Sequence, residues 1–267
     1  MRTQSDVYSL KICDGKRGVF MKFLIIVAIT TILFSGCSRK ERLAPADERP
    51  LYGGEVSSTA AAEDAKQNEV MIRQTGSREV ALQKTLDQGL AAYQRGYFEL
   101  AMHQYNRAWL LDPKSPEVFN GFGLVLDAQG KEDEALSIYE KSLEINPHHP
   151  MTLARLARQY QNKVVRLTNV STSEDTVQED ARQAMTKALE FYQKAAQAAT
   201  LDVDRDFIYY QWAIGLAVNK DYAGAWEKLH LARKYGGKFI ETKFIEVLTQ
   251  DMPEPVRAPM SPGHEAE

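Results

Sequence analysis

Hydrophobic patterning divides the chain into three regimes. Phe23 to Phe34 is a run of twelve largely apolar residues. From Ser38 to about Arg78 no apolar period is sustained. After residue 80, Ala, Leu, Gln, Glu, Lys and Arg dominate and β-branched runs are scarce, a composition that favours helix over strand. Apolar residues there recur at helical spacing, as in Leu153, Leu156, Ala157 and Tyr160, and again in Phe239, Phe244, Ile245 and Leu248. The pattern predicts an all-α fold.

The helical region also repeats. Gly89, Gly96, Ala101, Tyr105, Ala108 and Pro113 pair in turn with Gly123, Gly130, Ala135, Tyr139, Ser142 and Pro147, and every pair is separated by the same interval. A glycine in mid-helix (Gly89, Gly123) costs about 1 kcal/mol of helix propensity, so it predicts close approach of a paired helix. Gly96 and Gly130 fall where a first helix closes in the left-handed conformation. Ala101, Ala108 and Ala135 are expected as small inter-helix contacts, with Tyr105 and Tyr139 filling the space between repeats. Pro113 and Pro147 end the second helices, and Ser115-Pro116 restarts the next one as cap and first turn.

These residues and their period resemble the tetratricopeptide repeat, whose unit is about 34 residues long. The resemblance covers about 82–239, more than half of the chain. It implies a short helical solenoid, an array over 79–250 with repeats at 82–115, 116–149, 150–201 and 206–239. The third repeat carries an insertion from 163 to about 181, and its second helix is expected over 174–199. The fourth has Tyr209, Trp212, Ala213, Leu216, Tyr222, Ala225, Leu229 and Ala232, with Lys220 where the turn glycine would stand. A capping helix is expected over 238–249, and a disordered Pro-rich tail over 251–267.

Upstream, Met21-Lys22, the apolar run and Ser35-Gly36 have the layout of an export signal. Twelve residues at 1.5 Å rise span roughly 18 Å, short of a hydrocarbon core of about 30 Å, so this is not a spanning helix. Phe34-Ser35-Gly36-Cys37 resembles the lipobox of bacterial lipoproteins, with Phe34 where that family usually has Leu. The resemblance implies a signal peptide over 21–36, acylation at Cys37 and translation from Met21, residues 1–20 being an upstream extension. Ser38 after the cysteine implies sorting to the outer membrane of a Gram-negative envelope. Residues 37–78 are expected as a flexible tether, letting the body stand some 30–40 Å off the bilayer.

Composition narrows the partner. The formal charge of −3 becomes about −6 once residues 1–36, with five basic and two acidic residues, are removed. Nucleic acid is not expected, because phosphate binding needs clustered Lys and Arg. Cys13 and Cys37 both lie outside the helical body, which leaves no disulfide framework or zinc site. Of the five histidines, His148-His149 is read as a solvated turn. No catalytic motif is found, Glu132, Asp133 and Glu134 serving a helix dipole and Trp109, Trp212 and Trp226 a core. No catalytic residue, metal or cofactor is therefore expected.

First helices of such arrays line a concave face. The inward positions are Leu86, Leu90 and Tyr93; Asn120, Leu124 and Asp127; Ala154, Arg158 and Gln161; then Tyr210, Ile214 and Ala217. Only Asn120 and Arg158 could donate to a peptide carboxylate, so the family's carboxylate clamp is not carried over. The mixed lining suits an amphipathic helix or extended segment. The expectation is a lipid-anchored protein-interaction scaffold of the cell envelope, similar to the pilotins of pilus and secretion systems or to lipoproteins that organise peptidoglycan enzymes. A cell-wall enzyme carried on an array, and self-assembly through the array's ends, are the alternatives.

Overall fold

The computed structural model describes residues 45–54, 58–169 and 175–255. Cys13, Cys37, the apolar run 23–34 and the tail beyond 255 lie outside the described residues. The described residues form ten α-helices and no strand: α1 (Thr59–Thr75), α2 (Arg78–Gln94), α3 (Phe98–Leu111), α4 (Pro116–Ala128), α5 (Glu132–Ile145), α6 (Pro150–Asn169), α7 (Asp175–Ala198), α8 (Asp202–Val218), α9 (Tyr222–Lys234) and α10 (Thr242–Asp251). Helices α2/α3, α4/α5, α6/α7 and α8/α9 are neighbours in sequence and pack as pairs. The second helix of each pair then packs on the first helix of the next, α3 on α4, α5 on α6 and α7 on α8. This is a solenoid of four tetratricopeptide-type units.

Local chemistry sets the ends of these helices. Ser77 accepts the Val80 amide at 3.1 Å and Ser115 the Val118 amide at 3.3 Å, each satisfying an otherwise unpaired first-turn N–H. The first helices of repeats 1 and 2 close on Gly96 (φ +78°) and Gly130 (φ +74°). In the fourth unit Lys220 adopts the same left-handed turn at φ +62°. A β-carbon there costs energy that glycine avoids.

Glycine and tyrosine build the inter-helix contacts together. A β-carbon on Gly123 would run into the ring of Tyr139, and one on Gly89 would come within 2.8 Å of Tyr105. Tyr105 also fills the space beside Gly121 of the next repeat, where its ring again leaves no room for a β-carbon. Ala101, Ala108 and Ala135 are fully buried between these helices. Tyr192 of α7 occupies the corresponding place beside Gly215, and its hydroxyl donates to Gln161 Oε1 at 2.9 Å.

The described residues of the insertion in repeat 3 form no separate domain. They lengthen both helices, so α6 runs 20 residues and α7 runs 24. Val164, Ala184, Met185 and Ala188 make a small core of their own in this extension. Beyond it, Tyr192, Trp212, Tyr209 and Tyr235 stack in series from α7 through α8 to the end of α9, with centroids 5.7–6.4 Å apart.

The expected tether over 37–78 is corrected within its described part. Residues 45–54 and α1 are docked on the array, α1 packing against both α2 and α3. The joint is polar. Buried Asn106 of α3 donates to the carbonyls of Asp47 (2.9 Å) and Arg49 (2.8 Å) and accepts the Tyr52 amide at 3.2 Å. Tyr52, 0% exposed, donates its hydroxyl to Asp64 Oδ2 at 2.8 Å, and His103 Nε2 lies 2.8 Å from Asp64 Oδ1. Asn68 donates to the Arg107 carbonyl at 2.8 Å. Buried Tyr52, Asp64, Asn68 and Asn106 thus all find partners, which is what permits the segment to dock without an apolar stripe.

At the other end α10 begins at Thr242, later than the 238 that the sequence pattern suggests. Leu248, Phe244 and Ile245 pack on the core of α8 and α9. Residues 252–254 continue onto the array instead of leaving it: Trp226 donates to the Met252 carbonyl at 2.9 Å, and Glu254 pairs with His230 and Arg233.

Candidate partner-binding surfaces

The expected groove positions divide by what covers them. Leu86, Tyr93 and Asn120 are half-buried and Leu90 is 42% exposed. Ile214 and Ala217 are half-buried on α8. These side chains remain available to a ligand.

Four of the expected groove residues are not available. Leu124 is 2% exposed and Ala154 1%, the latter in a small core shared by α6, α7 and α8. Gln161 is buried as the acceptor for Tyr192. Tyr210 lies beneath the capping segment, its ring edge-on to Phe244 at 5.7 Å and its hydroxyl accepting the Glu241 amide at 3.4 Å. A residue at an inward register position faces a groove only where no later element covers it.

Asp127 and Arg158 come together across α4 and α6. Arg158 Nη2 donates to Asp127 Oδ2, and Gln159 Nε2 donates to Asp127 Oδ1. The aspartate side chain is 6% exposed, so this pair joins repeats 2 and 3 and is not a free pair of charges. One turn earlier stands Arg155, which no sequence pattern marks. It is buried, without an acidic partner among the described residues, and lies 4.8 Å from the centroid of Phe207. Burial lowers its guanidinium pKa from the ordinary arginine value.

His149 corrects the reading of a solvated turn pair. His148 is exposed, but His149 is buried and caps α6, accepting the Thr152 amide on Nδ1 at 3.2 Å. It stands one repeat after Ser115, which caps α4 in the same way. Its Nε2 lies 3.7 Å from Glu117 Oε1. This contact, and then the Ser115 hydroxyl donating at 2.7 Å, hold the Glu117 carboxyl below the usual range. Trp226 is core as expected, whereas Trp109 and Trp212 are half-buried, Trp212 with Lys228 4.5 Å above its ring.

Other cavities open on the side of the second helices. One of about 530 Å³ is bounded by α5, α6 and α7, and one of about 370 Å³ by α7, α8 and α9. No motif announces them, because they form where two second helices, remote in sequence, fail to meet.

A family model for the tetratricopeptide repeat matches residues 116–149, the second of the four units. Photosystem I assembly protein Ycf3 of Prochlorococcus marinus subsp. pastoris is similar over 78 residues at 30% identity, covering 28% of this chain and 45% of that protein. The chain thus spans less than half the length of that curated relative. A solved structure from the functional characterization of Pseudomonas aeruginosa pilF is also similar, at 19% identity and a TM-score of 0.32, covering 65% of this chain and 85% of that one.

Proposed function

We propose, from the premise that this is a tetratricopeptide-repeat protein, that the chain is a lipid-anchored scaffold of the bacterial envelope and holds a segment of a partner protein on its first-helix face. The observation that carries the interaction reading is the repeat packing itself, four stacked helix pairs, the first two closed by tyrosine–glycine contacts. Leu86, Leu90, Tyr93 and Asn120 give that face an accessible, mixed lining of the kind that takes an amphipathic or extended segment. The relative from Prochlorococcus is named as an assembly protein, which agrees with a role in holding components together.

Anchoring rests on the lipobox-like Phe34-Ser35-Gly36-Cys37. With residues 45–54 and α1 docked on the array, only residues 38–44 separate the cysteine from that body in sequence, at most about 25 Å of chain at full extension. An acylated Cys37 would therefore keep the array close to the bilayer. The end-to-end self-assembly considered above is not favoured, because α1 and α10 cover the first and last pairs.

The test joins labelling with capture. Cells fed a labelled fatty acid should label the protein, lose the label in Cys37→Ala, and place the protein in outer-membrane fractions. Pull-down from detergent-solubilised envelopes should recover a protein partner. No label, or no partner together with intact envelope assemblies after deletion, would sink the proposal.

A further inference from the structure

We infer that the trough between α5 and α7 is a second docking surface, one that takes an amphipathic helix carrying basic residues along one edge of its apolar stripe and acidic residues along the other. It is separate from the first-helix face and does not depend on it.

The trough exists because α5 and α7 both pack on α6 and scarcely meet each other. Their separation leaves two adjoining cavities, with a third at the α7 side of the turn after α5. The first, about 530 Å³, shares Leu136 and Tyr160 with the second, about 320 Å³. The third, about 500 Å³, is lined by Pro147 and His148 and, on α7, by Lys194, Gln197 and Ala198. Lining residues on α5 run from Glu132 to Glu144, which at 1.5 Å per residue is about 20 Å. A guest helix of three to four turns matches that length.

The floor is apolar. Leu136, Leu143, Tyr160 and Phe191 are only partly covered, and the last two rings stack at 5.7 Å. Side chains of this kind, left half-open in a row, are what a guest's apolar stripe would complete.

The two walls carry opposite charge. On α5 stand Asp133, Glu140 and Glu144, exposed and without an ion pair among the described residues. On α7 stand Lys187 and Lys194, which lie over Tyr160 and Phe191 at 5.4 and 5.6 Å and likewise have no acidic partner among those residues. The apolar floor keeps the walls apart, so the acids of one cannot pair with the cations of the other. At one end an acid of the α5 wall is taken by the floor helix, Arg166 of α6 pairing with Glu132. A guest with basic residues toward α5 and acidic residues toward α7 satisfies both walls at once. Two uniformly charged guests would each meet repulsion along one wall. A second copy of this chain is the poorer occupant, because a two-fold contact would set one hollow against another.

The test uses three labelled synthetic helices of equal length with one leucine stripe and different edges: Lys/Glu, Lys/Lys and Glu/Glu. Fluorescence anisotropy with the full chain should show the Lys/Glu helix binding at least tenfold tighter than the others. In E140K/E144K the preference should pass to Glu/Glu, and in K187E/K194E to Lys/Lys, with helical circular dichroism unchanged. A first-helix variant, Leu90→Glu, should leave the ranking intact, which separates this surface from the one proposed above. Absence of binding, equal binding of the three helices, or a ranking unmoved by both reversals overturns the inference. So does a concentration-dependent dimer that E140K/E144K abolishes.

Discussion

Tyr139 lies so close to Gly123 that a single carbon added to the glycine would penetrate its ring, well inside the 3.0 Å that β-carbons keep from other atoms. Both partners sit inside the array, so neither can move outward. Gly123→Ala should destabilise the protein by about 1–3 kcal/mol through overpacking, in spite of the better helix propensity of alanine. Urea titration followed by circular dichroism measures it. An unchanged or raised midpoint would show that the ring does not need this space.

The tyrosine hydroxyls at equivalent places should behave differently. That of Tyr139 is buried without a partner among the described residues, whereas that of Tyr192 donates to Gln161. Tyr139→Phe should therefore be neutral or slightly stabilising. Tyr192→Phe should cost about 1–3 kcal/mol, because it strands a buried acceptor. Equal effects of the two substitutions in the same titration would contradict this assignment.

Lys220 occupies a left-handed turn that the earlier repeats give to glycine. Lys220→Gly should raise stability by about 0.5–1 kcal/mol, the relieved strain slightly exceeding the extra entropy of the unfolded chain. Thermal melting would register the gain, and a lower melting temperature would count against the strain.

The docked N-terminal segment should make stability depend on pH through His103. Its hydrogen bond to Asp64 raises the His103 pKa above the ordinary imidazole value. A raised value in the folded state means the contribution is fully present below about pH 6.5 and is lost as pH climbs through the folded value. The melting temperature of wild type minus that of His103→Gln should be largest near pH 5.5 and shrink toward pH 8.5. A constant difference across that range would mean that the pair is not titrating.

The repeats are legible because their packing is written in residue types. A glycine opposite a tyrosine on the following helix, as in Gly89 and Tyr105, recurs in register as Gly123 and Tyr139 and has few other physical readings. The docking of 45–54 and α1 is not legible, since it relies on Asp64, Asn68 and Asn106 reaching partners 12 to 59 positions away, with no apolar period to announce them. Register also locates the first-helix face but not what covers it. Tyr210 is closed off by Phe244, and Gln161 is claimed by Tyr192 on a helix that the insertion lengthened. The trough between α5 and α7 leaves a trace in the spacing of Leu136, Glu140 and Leu143 and of Lys187, Phe191 and Lys194. That trace has meaning only once the two helices are known to stand apart.

If the first-helix face holds a partner protein, the two must touch there in the cell. A photo-crosslinking residue placed at Leu90, the most exposed apolar position of that face, tests it in living cells. The same residue at Leu201, equally apolar and at least as exposed but in the turn before α8 and not at one of the inward register positions, serves as the control. One discrete envelope-protein adduct is expected from position 90 and none from position 201. Indistinguishable adducts from both positions, or none from position 90 while the protein is present at normal level, would contradict it.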